Sequence, residues 1–416
     1  MTPVQIAQTR ADRLPTTELL DEDALPPGFV VDSSYEERRL TEVRRLGLLD
    51  NEPEERLSRV VRLAAMVLGL DSVSINLVDR DRVFSAASIG APVREIPRDG
   101  SFCSLAIQQP NLMVVPDASA DARYRDFPFV QHGIRFYAGQ PLVGPGGYPV
   151  GALCVWGRDP RDLSPREQET LRDLGDLVSR ELAEEAEVIR ASEVQAALVP
   201  TAVPDLPGYE VAGQCLPSRN LSGDFYDWHP IRDTLQITIA DVMGKGVGAA
   251  IIAAGLRALL RGASRHNELD EAVARAASSM DGDFTATGAF ATLWTARLDP
   301  RTHVLQYVDA GHGLAIILSP DGSIRRLASS GMPIGALQGD RWTMHEDHLA
   351  PGEMLVSTSD GTLDLFPDLR SVGTALRQIA AHSRSAEELV QSMVDLARQG
   401  AASDDVTFLA LWRTGP

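Results

Sequence analysis

The chain has 416 residues, 44% of them apolar, with a formal charge of −19 and an isoelectric point near 4.8. That length predicts two to three domains with sizeable cores, and the acidity argues against nucleic acid or an anionic membrane as the main partner. The three cysteines, Cys103, Cys154 and Cys215, form no zinc or redox-pair motif, and each is expected to be a buried structural thiol.

Residues 1–35 are rich in Asp, Glu, Thr and Pro and read as a mobile acidic tail. The first ten residues show no apolar leader and no later run is expected to approach the length and apolarity of a membrane span, so a soluble cytoplasmic protein is expected. From Glu36 the pattern changes. Helical spacing over 36–46 and 54–68 places Leu57, Val60, Val61 and Ala64 on one side. Strand-like runs follow at 72–78, 83–87, 113–115, 135–142 and 150–155. A closing helix should begin after Leu163, with Ser164 as N-cap and Pro165 in the first helical position. Two helices, an antiparallel sheet and a closing helix make an α+β unit over 36–170.

Leu171, Leu174, Val178, Leu182, Ala186 and Ile189 recur at three- and four-residue steps, so 171–198 is expected to form a closing and linker helix about 40 Å long. It either caps the preceding sheet or pairs with its twin in a homodimer and transmits strain. Residues 199–416 form the last unit. Alternation over 235–240 runs into Asp241, the run 355–359 leads into Asp360, and Asp404 and Asp405 open another alternating strand at 406–412. Upstream, Asp224 and Asp227 follow a polar turn. A carboxylate leaving one strand and another entering an antiparallel neighbour lie at the same sheet edge. Carboxylates gathered in this way repel unless protonated or metal-bound, and their hard oxygens suit Mg²⁺ or Mn²⁺. Gly244, Lys245 and Gly246 lead into an apolar helix at 247–260; they make a strand-to-helix turn or cradle a phosphate at the helix start.

In order, the segments 220–227, 240–246, 309–312, 359–361 and 404–407 resemble the PPM superfamily, and more closely its bacterial SpoIIE-type serine/threonine phosphatases. The approach at 195–200 and 206–211 also resembles that branch. The resemblance implies an αββα sandwich and two ions, Mn²⁺ or Mg²⁺. It also implies that Asp224 binds the first ion, Asp241 bridges both, and the carbonyl of Val242 completes one shell. Asp360 and Asp404 would serve the second ion, with Asp404 favoured over Asp405. Asp227 would support the ligands from behind or be structural, and His312 would be structural. The chain departs from eukaryotic relatives in having Val242 and Met243 where they carry a histidine, and it shows no obvious phosphate-clamping arginine. Segments 99–107, 114–118, 135–139 and 150–154 resemble a GAF domain, whose ligand would be an unknown small molecule or protein signal. The family resemblance implies hydrolysis of phosphoserine or phosphothreonine on a STAS-domain anti-anti-sigma protein acting in trans. The other readings are a ligand-sensing scaffold with an inactive phosphatase fold and an enzyme of small phosphate esters.

Overall fold

The computed structural model describes residues 33–91, 93–200, 202–329, 331–400 and 402–415. The acidic tail expected over 1–35 lies almost wholly outside these residues. The chain divides into two compact units, Met1–Glu187 and Val188–Pro416.

In the first unit, α1 (Ser33–Arg45) and α2 (Glu55–Leu68) precede β1 (Val73–Val78), β2 (Arg82–Ile89) and β3 (Glu95–Pro97). Two short helices follow, α3 (Phe102–Ala106) and α4 (Pro128–Gln131), separated by β4 (Met113–Val115). Then β5 (Phe136–Val143) and β6 (Pro149–Gly157) lead into α5 (Pro165–Leu198). The antiparallel sheet has the order β3-β2-β1-β6-β5-β4, so β1 and β6 are its central strands. Alternation divides their side chains between two cores. Val73, Ile75, Leu77, Leu153 and Val155 pack with Leu57, Val61, Leu171 and Val178 from the long helices. Ala152 and Cys154 face Phe102, Cys103, Tyr124 and Tyr137 on the opposite side. The five strands read from sequence lie where expected to within a residue or two, whereas β3, α3 and α4 are too short to give a periodic signal.

Ser164 and Glu167 form a reciprocal capping box at the start of α5: the Ser164 amide donates to Glu167 Oε2 at 2.8 Å and the Glu167 amide donates to Ser164 Oγ at 3.3 Å. The helix buries Leu171, Leu174, Val178, Leu182 and Ala186, so this stretch of the apolar stripe is used in packing against its own sheet. Farther along, Val194 and Leu198 remain 61% and 40% exposed. At 34 residues the helix is about 50 Å long.

The second unit has two antiparallel five-stranded sheets. In the first, β8 (Asp224–Ile231), β9 (Thr234–Val242), β10 (Ala291–Leu298), β11 (Val304–Ala310) and β14 (His345–His348) are neighbours in that order. The second has the order β13 (Ile324–Arg326), β12 (Ala315–Leu318), β15 (Met354–Thr358), β16 (Val406–Arg413) and β7 (Tyr209–Leu216). Tyr226, Trp228, Ile237, Ile239, Trp294, Leu355, Leu409 and Leu411 fill the space between the sheets. Helices α6 (Val247–Ser264) and α7 (Leu269–Thr287) cover one outer face, and α8 (Leu369–Ala380) and α9 (Ala386–Gln399) the other. The result is an αββα sandwich.

One expectation is corrected here: α6 is long and apolar enough, by length and composition, to cross a membrane. Its packing accounts for that composition. Ala249, Ala253, Leu256 and Leu260 pack against Phe225, Ala240 and Val242 of the sheet, while Arg257 and Arg261 pair with the buried Asp227.

Candidate metal centre and active site

The pairing of β8 with β9 sets Asp224 directly opposite Asp241 at the end of the hairpin. Both have the strand parity of Tyr226, Trp228, Ile237 and Ile239, so both belong to the face between the two sheets. The second sheet supplies the other acids at the same end: Asp360 opens a short 3₁₀ helix, Asp360–Leu365, directly after β15, and Asp404 and Asp405 directly precede β16.

Glycines bring these segments together. A Cβ on Gly361 would lie 2.1 Å from the Asp405 carbonyl oxygen, and one on Gly223 would lie 2.7 Å from that of Val242. Ser359 reinforces the first contact, its Oγ accepting the Thr407 amide at 2.8 Å. Val242 is buried and its N–H donates to the Gly223 carbonyl at 3.3 Å.

Burial and mutual repulsion raise the proton affinity of the cluster. Burial pushes Asp241 up to about 7, with the charges of Asp360 and Asp404 adding to the shift. Asp224 is raised well above the usual carboxylate range by burial and then by Asp241. Asp360 is raised by burial and then by Asp404. Asp224 Oδ2 is buried with no hydrogen-bond partner. Such a site attracts positive charge, whether a proton or a cation.

For the metal-free protein these shifts predict a pH dependence of stability. The folded state holds a proton on Asp241 that the unfolded chain, with an ordinary value of 3.8, releases as pH rises. The resulting stabilisation is fully present below 3.8 and is lost as pH climbs through about 7. The melting temperature of chelator-treated protein should therefore be higher at pH 5.5 than at pH 8, and divalent ion added at pH 8 should restore it. A melting temperature that rises between those pH values without metal would contradict this account.

The two neighbouring aspartates have different surroundings. Asp405 is buried, and both its oxygens are occupied. Oδ1 accepts the Ser218 amide at 2.7 Å, and Oδ2 accepts the Gly223 amide at 2.8 Å and the Ser222 hydroxyl at 2.9 Å. It thereby ties the turn before β8 to the start of β16. The Asp404 side chain is 44% exposed and receives Lys245 Nζ at 3.0 Å.

Asp227 lies an odd number of residues from Asp224, so it points to the helix-covered side, where Arg261 and Arg257 hold it. His312 is buried, its Nε2 is 3.0 Å from Ser357 Oγ, and burial lowers its pKa to about 4. It is therefore neutral at pH 7 and held by Ser357. Asp309, next to the end of β11, accepts the His312 and Gly313 amides, each at 2.9 Å.

Sequence reasoning gave no role to two cations at this edge. Lys245 is the only lysine in the chain, every other basic residue of that kind being arginine, and this was the signal available. Arg219 is exposed in the turn next to Ser218, whose amide Asp405 holds.

Among the described residues no group of three or more His, Cys, Asp or Glu side chains is drawn together as a ready-made ion cage. The donor set nevertheless fits a hard divalent cation: it offers oxygen atoms only, one of them a buried and unpartnered carboxylate oxygen, and has raised proton affinity.

Residues 232–414 match the family model for stage II sporulation protein E, and residues 52–182 match that for the GAF domain. The chain therefore joins a segment that matches the GAF family to one that matches the SpoIIE family, each covering less than half of it. It is 29% identical over 262 residues to protein IcfG of Synechocystis sp., covering 55% of this chain and 41% of that protein. It is 38% identical over 146 residues to the cyclic di-GMP phosphodiesterase PA2567 of Pseudomonas aeruginosa, covering 34% and 25%. With the phosphoserine phosphatase RsbU of Bacillus subtilis it shares 26% identity over 264 residues, covering 60% and 75%. The chain thus spans less than half the length of the first two relatives and three quarters of the third.

Proposed function

We propose that this protein is a metal-dependent phosphatase of phosphoserine or phosphothreonine on a protein, regulated through its GAF domain. The observation that carries this reading is the convergence of Asp224, Asp241, Asp360 and Asp404 at one end of the gap between the sheets, with proton affinities raised on the first three. Asp224, Asp241 and the Val242 carbonyl would hold a first Mn²⁺ or Mg²⁺, and Asp241, Asp360 and Asp404 a second. Asp405 stays outside that set, as the residue that holds the turn beside Asp224. Bound divalent ions supply Lewis acidity toward a phosphoryl oxygen and activate water.

The chain's own residues do the rest. Asp241 faces Asp224 across the hairpin and carries the electrostatic influence of Asp360 from the second sheet. Lys245 and Arg219 offer positive charge to a phosphomonoester dianion approaching an otherwise acidic edge. The burial of His312 and its bond to Ser357 count against it as the proton donor. No side-chain nucleophile is needed, because water attacks phosphorus directly.

The phosphoserine phosphatases RsbU and RsbP of Bacillus subtilis, both among the relatives of this chain, support a phosphoprotein substrate. We assign the substrate to a STAS-domain anti-anti-sigma protein acting in trans and place the enzyme in the cytoplasm. Phosphate release from such a phosphorylated protein, compared with release from free phosphoserine, tests the assignment. Release from the phosphoprotein that is abolished by chelator supports it. Equal rates on both substrates would favour an enzyme of small phosphate esters, and no release from either would leave a ligand-sensing scaffold.

Regulation is assigned to α5 and its end. Gln195 makes a two-bond clamp on Ser222, donating to its carbonyl at 2.7 Å and accepting its amide at 3.0 Å. The Ser222 hydroxyl in turn contacts Asp405 and the Asp224 amide. Helix phase thereby reaches the turn that carries Asp224. Inserting two residues after Glu185 rotates everything downstream by about 200°, whereas inserting seven leaves about 20° of drift. If α5 pairs in a homodimer through its open end, around Val194 and Leu198, two residues should disturb the rate far more than seven. Unchanged rates in both variants, or a monomer by light scattering, would make the helix a simple tether.

A further inference from the structure

Cys103 and Cys154 are 51 residues apart in sequence, yet their sulfur atoms lie 3.3 Å apart in the core of the GAF domain. Cys103 is on the five-residue helix α3, and Cys154 is on β6, a central strand of the sheet. Both are buried among Phe102, Tyr124, Tyr137, Met113 and Ala106. Apolar packing would account for two small thiols there. It does not account for the polar groups aimed at them. Asn76 Nδ2 donates to Cys103 Sγ at 3.3 Å, and the Tyr137 hydroxyl lies 3.1 Å from Cys154 Sγ and 3.7 Å from Cys103 Sγ. Donors placed on a sulfur stabilise the thiolate, the form that reacts.

We propose that Cys103 and Cys154 are a redox-modification site, closing to an intradomain disulfide when a hydroperoxide oxidises one of them. The Asn76 amide, which donates to Cys103 alone, favours Cys103 as the nucleophile. The separation must contract from 3.3 Å to a bond of about 2.05 Å.

The steps balance. The Cys103 thiolate attacks a peroxide oxygen, the O–O bond breaks, and the leaving alkoxide or hydroxide takes a proton. Cys103 is then a sulfenic acid. The Cys154 sulfur, having lost its proton, attacks the Cys103 sulfur, the S–O bond breaks and water leaves. Two thiols are oxidised, and one hydroperoxide is reduced to water plus an alcohol, or to two waters when it is hydrogen peroxide. Burial slows entry of the oxidant but does not change the product, because the nearest sulfur to an oxidised Cys103 is Cys154. The bond would fix α3 to the central strand β6. This inference is independent of the phosphatase reading, since it concerns the other unit.

The test uses the full-length protein, reduced and then freed of reductant. Samples are exposed to hydrogen peroxide for increasing times, quenched with catalase, unfolded in guanidinium and alkylated. Intact mass should show the three alkylated cysteines falling to one, and peptide mapping should join the Cys103 peptide to the Cys154 peptide. Cys215→Ser should still form the link, which keeps the test informative if a variant in the pair fails to fold. Cys103→Ser, if folded, should leave Cys154 fully alkylated. Three alkylated cysteines at all times, loss confined to Cys215, or over-oxidation of Cys103 without the cross-link would each overturn the proposal.

Discussion

Asp241→Asn is expected to remove most phosphatase activity, at least on the order of 10²-fold, the scale of losing one preorganised electrostatic contact. Asp241 is the residue whose charge is shared, since Asp224 faces it across the hairpin and Asp360 adds to its raised proton affinity from the second sheet. An amide in its place keeps the shape and removes the negative charge between the two halves of the site. The fold should survive. Without metal at pH 8, Asp241→Asn should melt higher than the wild type, because the variant relieves the repulsion that burial and neighbouring acids impose. Loss of activity together with this gain in metal-free stability identifies a site built for a cation. Undiminished activity would end the two-ion assignment.

The second large effect separates two adjacent carboxylates by mechanism. Asp405→Asn places an amide NH₂ against at least one of the donors now held by that side chain: the Ser218 amide, the Gly223 amide or the Ser222 hydroxyl. The expected loss is roughly 2–4 kcal/mol of stability, since buried donors are left facing a donor. Asp404→Asn has no such consequence. Its side chain is half exposed and its partner Lys245 can turn to solvent, so the melting temperature should hardly move. Its effect should appear as weaker metal binding and a higher metal requirement for activity. Thermal melts paired with metal titrations would distinguish the two, and equal effects on both readouts would contradict the distinct roles assigned here.

What the sequence shows of this molecule follows from period and parity. Alternation over 235–240 places Asp241 at a strand end, and the same rule applied three residues past Asp224 puts Asp227 on the opposite face, where Arg257 and Arg261 hold it. The preference for Asp404 over Asp405 rested on the family resemblance alone; the bonds that occupy Asp405 were not legible, because they come from the turn at 217–223, nearly 190 residues away. Lys245 was hidden for a different reason. Flanking glycines make it look like turn filler, and only its uniqueness among the basic residues marks it. Cys103 and Cys154 show no pair motif because α3 and β6 meet only in the folded sheet. The apolar stripe of α5 was legible as a stripe, but its partner was not: through Ala186 it packs on its own sheet.

The most direct test of the central claim is a Mn²⁺ titration of the full-length protein by calorimetry, run beside phosphate release from a phosphorylated STAS-domain protein. The account predicts two ions bound per chain in the wild type, activity that rises with their occupancy and vanishes in chelator, and fewer ions with little activity in Asp241→Asn. Phosphate release that persists in chelator, or an active wild type that binds no Mn²⁺ or Mg²⁺, would contradict it.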